Sequence, residues 1–436
     1  MNKTVKTIIG LFVAVFLLGG AFSGGFIAGH LLPGGSGFPV FDTILPQSEN
    51  LTAEHQASTP DNVQTLFTPF WEAWDIVHNQ YVDQPVDDLA LMQGAIRGMM
   101  DALGDKQTFY MQPQVYETET SALQGSYEGI GAVVDTTGDY LEIVSPMEGS
   151  PADKAGLKPG DQIISIDGQD MTGVDAEQAR QKVLGPKGTE VTLMVMREGE
   201  PGPLKFVIRR DKIEIHSAEG KMLENGIAYV DINTFGEKTT AELRKTLDEL
   251  MAQNPKGIVI DLRSNPGGYL TTAVEVSSEF IEQGVVMYEK YGDGTRDEYK
   301  ALGNGRATNI PLVVLINEGS ASASEILAGA LQDYGRAKLV GVKSYGKGSV
   351  QVWQPLSNDQ GAARVTVAKW LTPKERAIDH IGLMPDVTAE MTADDFAAER
   401  DPQLDAAVET LMAVINNTAI PTSMPTSIPE STPAGH

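Results

Sequence analysis

Residues 312–326 read Leu312-Val313-Val314-Leu315-Ile316-Asn317-Glu318-Gly319-Ser320-Ala321-Ser322-Ala323-Ser324-Glu325-Ile326. The apolar run 312–316 predicts a buried strand, and the loop of small residues after it leads into a helix near 323–332. The same order occurs upstream, where segments 227–232 and 257–262 each precede a helical pattern. This alternation predicts an α/β core whose sheet is largely buried on both faces, with active residues in loops past the strand ends.

The loop before the 323–332 helix contains three candidate nucleophiles, Ser320, Ser322 and Ser324. A serine at a helix start lies at the positive end of the helix dipole, where unsatisfied N–H groups can meet an anion. The same position is typical of a serine that only caps the helix. These residues alone leave the choice of serine, and the capping interpretation, open.

Lys347 is the candidate base, because the chain has no cysteine and no histidine near these serines. A surface lysine is almost fully protonated at neutral pH, but burial or a cationic neighbour lowers its pKa. In an extended chain Lys347 and Gln351 point to one face, so Gln351 is a candidate to orient the lysine amine. Segment 341–348 nearly matches a phosphate-binding loop, but Gly348 replaces the required Ser or Thr, so nucleotide binding is not predicted.

A second loop, Arg263-Ser264-Asn265-Pro266-Gly267-Gly268, follows the apolar segment 257–262. Its paired glycines allow backbone N–H groups to approach a ligand oxygen closely, which suits an oxyanion hole and equally suits a plain turn. The six histidines are scattered without paired spacing, so we predict no metal and no cofactor.

Composition excludes further classes of function. The 436-residue chain has a formal net charge of -26 and no cysteine. The negative charge argues against nucleic acid as a partner. The absence of cysteine excludes thiol nucleophiles and disulfides.

The two ends of the chain differ in composition from its middle. Lys3 and Lys6 precede the largely apolar segment 8–32, which predicts an uncleaved membrane anchor, with a signal peptide cut after Ser23 as the alternative. Either interpretation of residues 1–32 places the rest of the chain on the exported side of the cytoplasmic membrane. Residues 33–62 are expected to be a flexible linker, 396–416 a C-terminal helix and 417–436 a disordered tail.

Residues 63–115 show helical spacing and predict an N-terminal helical unit, whose aromatic stripe is expected to be core or a dimer face. Residues 116–212 show short strands and turns, and the segment from Ser150 to Asp161 followed by Ile166-Asp167-Gly168 resembles a PDZ domain of bacterial proteases. In such a domain Gly129-Ile130-Gly131-Ala132 is the candidate loop whose N–H groups bind a peptide carboxylate; a simple tight turn is the alternative.

Across residues 66–412 the chain resembles the carboxyl-terminal processing peptidases, a family of tail-specific serine proteases. The motifs that carry the resemblance are Gly94 to Met99 with Ala102 to Asp105, the PDZ signature, Asp261 to Gly268, Gly319 to Gly329, Tyr345 to Gln351 and Gly382 to Asp386. The resemblance implies a crotonase/Clp-protease-like α/β core over 213–395, with an inserted all-β PDZ domain and the N-terminal helical unit.

The resemblance also implies a role for each site residue. Ser322 becomes the nucleophile, Lys347 its base and Gln351 the orienting residue. The oxyanion hole would be formed by backbone N–H groups of Ala323 and of the Gly267-Gly268 turn.

The expected activity is cleavage of exported polypeptides near a free C-terminus, with the PDZ domain delivering or gating the tail. A homodimer built partly by the helical unit is also implied. The alternatives are a non-catalytic PDZ peptide-binding scaffold and a crotonase-like acyl-CoA enzyme, which would need neither the PDZ domain nor Lys347.

Overall fold

A computed structural model of the chain describes residues 61–135, 138–147, 149–392, 394, 395, 398 and 400–420. Helices of this part are α1 Asp61–Leu66, α2 Thr68–Gln80, α3 Asp88–Asp101, α4 Pro113–Leu123, α5 Pro151–Ala155, α6 Ala176–Val183, α7 Thr239–Met251, α8 Leu270–Ser278, α9 Ala323–Asp333 and α10 Pro402–Asn416. Its first strands are β1 Phe109–Met111, β2 Ser126–Gly129, β3 Ala132–Asp135, β4 Leu141–Pro146, β5 Asp161–Ile166, β6 Gln169–Asp170, β7 Glu190–Met196, β8 Leu204–Arg209, β9 Asp211–Glu214 and β10 Ala218–Met222.

The remaining strands are β11 Ala228–Ile232, β12 Ile258–Asp261, β13 Val285–Tyr291, β14 Arg296–Lys300, β15 Leu312–Ile316, β16 Lys338–Gly341, β17 Ser349–Pro355, β18 Ala362–Leu371 and β19 Val387–Thr388. The described residues divide into two compact units, the first ending at Asp87 and the second beginning at Asp88. In the first unit α1 and α2 are the described helices, and no side chain of α2 is buried. Trp71, for example, is 58% exposed.

The second unit is built around a six-stranded sheet in the order β10-β11-β12-β15-β16-β19. The β10–β11 pair is antiparallel, and the other neighbouring pairs are parallel. All residues of β12 and β15 are buried, as expected for parallel strands covered on both faces. The predicted α/β core is therefore confirmed.

Helices cover both faces of this sheet. On one face, residues of α7, α8 and α9 share a large apolar cluster with β11, β12 and β15. On the other face, Ala407 and Leu411 of α10 pack against Val259, Val313 and Val340. Helix α9 is buried along nearly its whole length, because it also packs on α8. This burial holds the loop at its start in a fixed place.

A second sheet lies in the same unit, and sequence periodicity did not predict most of it. It is antiparallel, with the order β1-β18-β13-β14 and with β17 also paired to β18. The residues of β1 lie inside the segment predicted as helical, 63–115, yet they pair with residues 362–364 of β18. Three residues are too short a segment to show a strand period.

The predicted β-rich domain forms a separate sheet, β3-β4-β5-β7-β8, with β6 paired to β5. It has its own apolar core, which includes Leu141, Ile143, Ile163 and Leu193. The chain enters this domain through β2 and leaves it through β9, and these two strands pair with each other.

The sequence predicted a C-terminal helix over 396–416, whereas helix α10 begins at Pro402. The Asp401 side chain accepts a hydrogen bond from the Leu404 N–H and so caps the first turn. No helix among the residues that the structure describes is long and apolar enough to span a bilayer. The predicted anchor at 1–32, most of the linker at 33–62 and nearly all of the tail at 417–436 lie outside the described residues.

Candidate active site

Ser322 occupies the N-cap position of α9 with φ 55° and ψ −114°. Residues other than glycine rarely adopt this conformation, which costs about 1–3 kcal/mol and persists only where surrounding contacts impose it. The loop between β15 and α9 thus makes a sharp turn at the middle serine of the three. A strained turn that projects a serine between a strand and a helix is a frequent arrangement for nucleophiles.

The three serines of this loop differ in their surroundings. Ser320 and Ser324 are both 0% exposed. The Ser320 hydroxyl donates to the Leu262 carbonyl at 2.7 Å, and the Ser324 hydroxyl donates to the Asn265 carbonyl at 2.9 Å. Ser322 is half-buried and is the member of the group that solvent can reach. Two of the three candidates therefore act as structural donors in this state.

Glu325 joins the serine loop to the lysine loop. Its carboxylate is fully buried. One oxygen accepts the N–H groups of Ser322 and Lys347, each at 2.9 Å. The other accepts the Ser344 hydroxyl at 2.6 Å and the Gly346 N–H at 2.7 Å. Because one oxygen serves both backbones, the nitrogens of residues 322 and 347 lie no farther apart than the sum of those two bonds.

The lysine segment is held from its other side as well. The Trp370 indole N–H donates to the Lys347 carbonyl at 2.9 Å. A Cβ at Gly346 would lie 2.7 Å from the Gly382 nitrogen, and one at Gly348 would lie 2.6 Å from Asp379 Cβ. Glycines on both sides of Lys347 are thus required by the close approach of segment 378–382.

Lys347 is half-buried, and the pKa of its amine is lowered from 10.5 to about 8. Burial is the largest cause, because it disfavours the charged form. The Arg364 cation lowers the pKa further, and the Glu325 carboxylate opposes both effects. At pH 7 about one amine in ten is then neutral, against fewer than one in a thousand for an ordinary lysine.

Gln351 lies on β17, but its hydrogen bonds go elsewhere than to the lysine amine. Its amide nitrogen donates to the Ser349 hydroxyl at 2.8 Å and to the Thr366 hydroxyl at 3.3 Å. Its amide oxygen accepts from Arg364 Nη2 at 3.3 Å. Strand β17 begins at Ser349, and its pairing with β18 shifts register between Val350 and Gln351. The side chains of residues 347 to 351 therefore do not alternate between two faces as in a regular strand, which was the basis for expecting Gln351 to face Lys347.

The glycine loop after β12 lies against the serine loop, and Asn265 connects the two. Asn265 is fully buried. Its backbone carbonyl accepts a hydrogen bond from the Ala321 N–H at 3.0 Å. Its side-chain oxygen accepts a hydrogen bond from the Gly267 N–H at 2.9 Å. A Cβ at Gly267, whose φ is 99°, would lie 2.8 Å from both Ala323 N and Ser322 Cβ. Glycine is therefore required at residue 267.

The candidate oxyanion-hole donors are not equivalent. The Gly267 N–H is already donated to Asn265. Within the described part of the chain, no hydrogen bond is found for the Gly268 N–H. Ala323 is the first residue of α9, so its N–H has no acceptor within the helix. In this state neither the Gly268 N–H nor the Ala323 N–H has an acceptor within the described residues; Gly268 is exposed, whereas Ala323 is buried.

The candidate peptide-binding residues lie at a groove of about 370 Å³ beside β3 and α6. Ile130, Gly131 and Ala132 line it, whereas Gly129 ends β2 and pairs with Asp211. The Gly131 carbonyl accepts from the Ser150 hydroxyl at 2.7 Å, which fixes the turn, and Gly131 has φ 76°. The lining is otherwise mainly apolar: Thr118, Ala122, Tyr127, Val133, Val134, Leu141, Met147, Ile163, Arg180, Val183, Leu184 and Ile215.

Tyr127 is one of the residues that line this groove. Burial raises the pKa of its hydroxyl, and a hydrogen bond from the Ala132 N–H opposes that shift. The same hydroxyl lies 3.7 Å from the Met147 sulfur. The hydroxyl of this β2 side chain thus lies near one N–H of the candidate carboxylate loop.

Comparison with known proteins identifies the family. The model for peptidase family S41 matches residues 226–389, the PDZ domain model matches 120–196, and the activating protease CtpB N-terminal domain matches 36–115. The chain is 37% identical over 364 residues to carboxy-terminal processing protease CtpA of Bacillus subtilis (strain 168), which covers 83% of this chain and 76% of the relative. The chain belongs to the carboxyl-terminal processing proteases of peptidase family S41.

A second S41 relative, the carboxyl-terminal-processing protease of Synechocystis sp., is 35% identical over 347 residues, or 78% of this chain and 81% of that one. The solved structure of a putative S41 protease from Bacteroides fragilis NCTC 9343 shares the fold, with TM-score 0.50, 17% identity and coverage of 80% of this chain and 96% of that chain. The expected family is confirmed, and so are a serine-type peptidase and an α/β core with a PDZ domain.

The sequence analysis did not single out three residues of this candidate site. Glu325 stands three residues after Ser322 in the S-x-x-E pattern of a capping box, which was a usable signal. Asn265 lies in the quoted glycine loop, but its burial has no local signature. Arg364 lies on β18, far from the serine and lysine motifs, and nothing in its neighbourhood indicates a role at the site.

Proposed function

We propose that the chain is a serine endopeptidase that cleaves exported polypeptides near their C-terminus, with Ser322 as nucleophile and Lys347 as base. The observation that carries this proposal is the Glu325 carboxylate, which ties the half-exposed serine to a lysine whose pKa is about 8. A base with a pKa near the working pH combines a useful neutral fraction with a strong tendency to accept a proton.

The mechanism is acyl transfer. Neutral Lys347 takes the proton of the Ser322 hydroxyl as the serine oxygen attacks the peptide carbonyl carbon. The N–H groups of Ala323 and Gly268 stabilise the oxyanion, and Gly267 leaves room for it. Lys347 returns the proton to the departing amine, and a water molecule then releases the acyl group. Gln351 acts as a positioning residue, through the network that its amide makes.

The wild-type protein is expected to react faster as the pH rises, because only the neutral form of Lys347 accepts a proton. The rate should reach half of its plateau near pH 8 and be about tenfold below the plateau at pH 7. A fluorophosphonate that labels reactive serines measures this without a peptide substrate. A rate that stays constant from pH 6 to 9 would contradict Lys347 as the base.

We propose that the PDZ groove binds the free C-terminus of the substrate. The groove is mainly apolar, and its glycine turn presents backbone N–H groups, as expected for a terminal carboxylate with an apolar side chain. Residues outside the PDZ sheet also line it, namely Thr118 and Ala122 of α4 and Ile215. An entering peptide therefore meets the segments that connect the PDZ domain to the core, which supports a gating role.

Replacing Tyr127 with phenylalanine is expected to tighten binding of a peptide with a free C-terminus by about fivefold. The change removes a hydroxyl near the Ala132 N–H that competes with a peptide carboxylate for this donor, and one hydrogen bond contributes about 1 kcal/mol. Fluorescence anisotropy with a labelled peptide, in a Ser322→Ala background, gives the affinity.

Two controls accompany the Tyr127 measurement. Tyr140→Phe removes an exposed hydroxyl of the same domain, which lies 3.2 Å from the Thr172 hydroxyl, and should leave the affinity unchanged. A peptide with an amidated C-terminus should not gain from Tyr127→Phe. Equal affinities of the Tyr127→Phe and parent proteins for the free peptide would rule out competition at this N–H.

We also propose that the chain acts on the exported side of the membrane and forms a homodimer through its N-terminal helical unit. Export follows from the composition of residues 1–32. The dimer is supported within the first unit by large apolar side chains that are exposed, including Phe67, Trp71 and Ile76.

A further inference from the structure

Arg364 lies in the middle of the second sheet, on strand β18, which pairs with β1, β13 and β17. It is opposite Trp353 of β17 on one side and Phe109 of β1 on the other. Its Nη2 donates to the side-chain oxygens of Gln351 and Gln107, each at 3.3 Å. Its guanidinium carbon lies 5.0 Å from the centre of the Phe109 ring. These direct contacts of the cation are all with uncharged groups.

The charge of Arg364 is poorly compensated. Its Nε is buried without a hydrogen-bond partner among the described residues, and no carboxylate of that part of the chain lies within ion-pair distance. Burial lowers the pKa of the guanidinium, with Glu119 and Asp105 opposing. The Asp105 carboxylate instead accepts hydrogen bonds from the hydroxyls of Thr366 and Thr108. A half-buried cation without an ion pair is costly, so packing alone does not account for it.

The cation of Arg364 acts on the lysine through space, and it also holds the Gln351 amide of the neighbouring strand. Its charge disfavours a second positive charge on Lys347, whereas Glu325 on the other side favours one. The remaining charged groups of this region lie next to Gly348: Asp379 accepts the Gly348 N–H at 3.2 Å, pairs with Lys369 at 2.9 Å and lies 4.0 Å from His380. Asp379 is thus already paired, and Arg364 is the cation that acts on the amine.

We propose that Arg364 is a positioning residue of the active site, which holds the Gln351 amide and repels the ammonium form of Lys347 so that the amine is neutral more often. This inference rests on the proposed role of Lys347 as the base. It assigns Arg364 an electrostatic task that any stable cation of suitable reach can perform, and that an uncharged side chain of similar size cannot.

The test is the pH dependence of Ser322 labelling by a fluorophosphonate in Arg364→Met and Arg364→Lys. In this reaction the serine oxygen displaces fluoride from phosphorus while the serine proton passes to Lys347. Arg364→Met should move the midpoint to higher pH by about one unit, so that labelling at pH 7 falls about tenfold while the plateau rate changes by less than about threefold. Arg364→Lys keeps the charge and should keep the wild-type midpoint.

Controls separate this inference from the proposed function. Arg296→Met removes an exposed arginine of β14 that pairs with Glu375, and this change should not move the midpoint. Labelling that persists in Ser322→Ala would overturn the proposed function itself. A uniform loss of rate in Arg364→Met at every pH, or a midpoint in Arg364→Lys as far shifted as in Arg364→Met, would overturn the role of Arg364 alone. Should the Met variant not fold, as judged by circular dichroism, Arg364→Gln removes the charge and keeps a polar side chain.

Discussion

Ser322→Ala is expected to reduce kcat/KM for an unstructured peptide by at least about a thousandfold. The change removes the one hydroxyl of the loop that is half-exposed and next to the lysine segment. The fold should be unaffected, because the backbone N–H of residue 322 still reaches the Glu325 carboxylate. Peptide hydrolysis followed by mass spectrometry, with the melting temperature measured in parallel, checks both expectations.

Ser324→Ala is the matched control for Ser322→Ala. It removes the hydrogen bond to the Asn265 carbonyl, which should cost about 1 kcal/mol of stability, but it leaves the proposed nucleophile in place. If Ser322→Ala were active and Ser324→Ala inactive, the nucleophile would be residue 324.

A double variant with alanine at both Ser322 and Lys347 should be no less active than either single variant, because the two residues act as one unit.

Glu325→Gln is expected to destabilise the protein by about 2–4 kcal/mol. The carboxylate accepts four hydrogen bonds on two oxygens in a fully buried position. A glutamine has one oxygen, and its NH₂ group cannot accept a hydrogen bond, so in either orientation two donors lose their acceptor. Urea denaturation gives the change in the free energy of unfolding.

The same substitution has a second consequence with a defined sign. Glu325 raises the pKa of Lys347, so its removal should move the labelling midpoint to lower pH, opposite to the shift expected for Arg364→Met. Glu318→Gln, an exposed change in the same loop, should alter stability by less than about 0.5 kcal/mol and leave the midpoint in place. Equal stabilities of Glu325→Gln and Glu318→Gln would show that the four bonds do not hold the two loops.

The sequence was sufficient for the core because its strands are apolar throughout and its helices are long. Strand β15 was predicted at 312–316, and helix α9 was predicted to within one residue. The antiparallel sheet was harder, since β1 is only three residues long and pairs with β18 more than 250 positions later. No local pattern reports such pairing.

At the site, local patterns located the loops but not their connections. The three serines are alike in the sequence, and only the structure distinguishes Ser322, by its exposure and its backbone conformation, from Ser320 and Ser324. Alternation suggested that Gln351 faces Lys347, yet a register shift in β17 and the nearby Arg364 direct its amide elsewhere. The catalytic roles themselves stay predictions until the variants are measured.

The pairing of β2 with β9 determines how the domain between them is joined to the core. Ser126 and Glu214 are opposite each other in this ladder, so the segment of 87 residues between them is joined to the core at one place. Opposed residues of an antiparallel pair lie about 5 Å apart, a gap that a short hairpin turn can bridge. The PDZ domain is therefore exchangeable in principle: it can be deleted, or replaced by another domain, without changing the path of the chain before β2 or after β9.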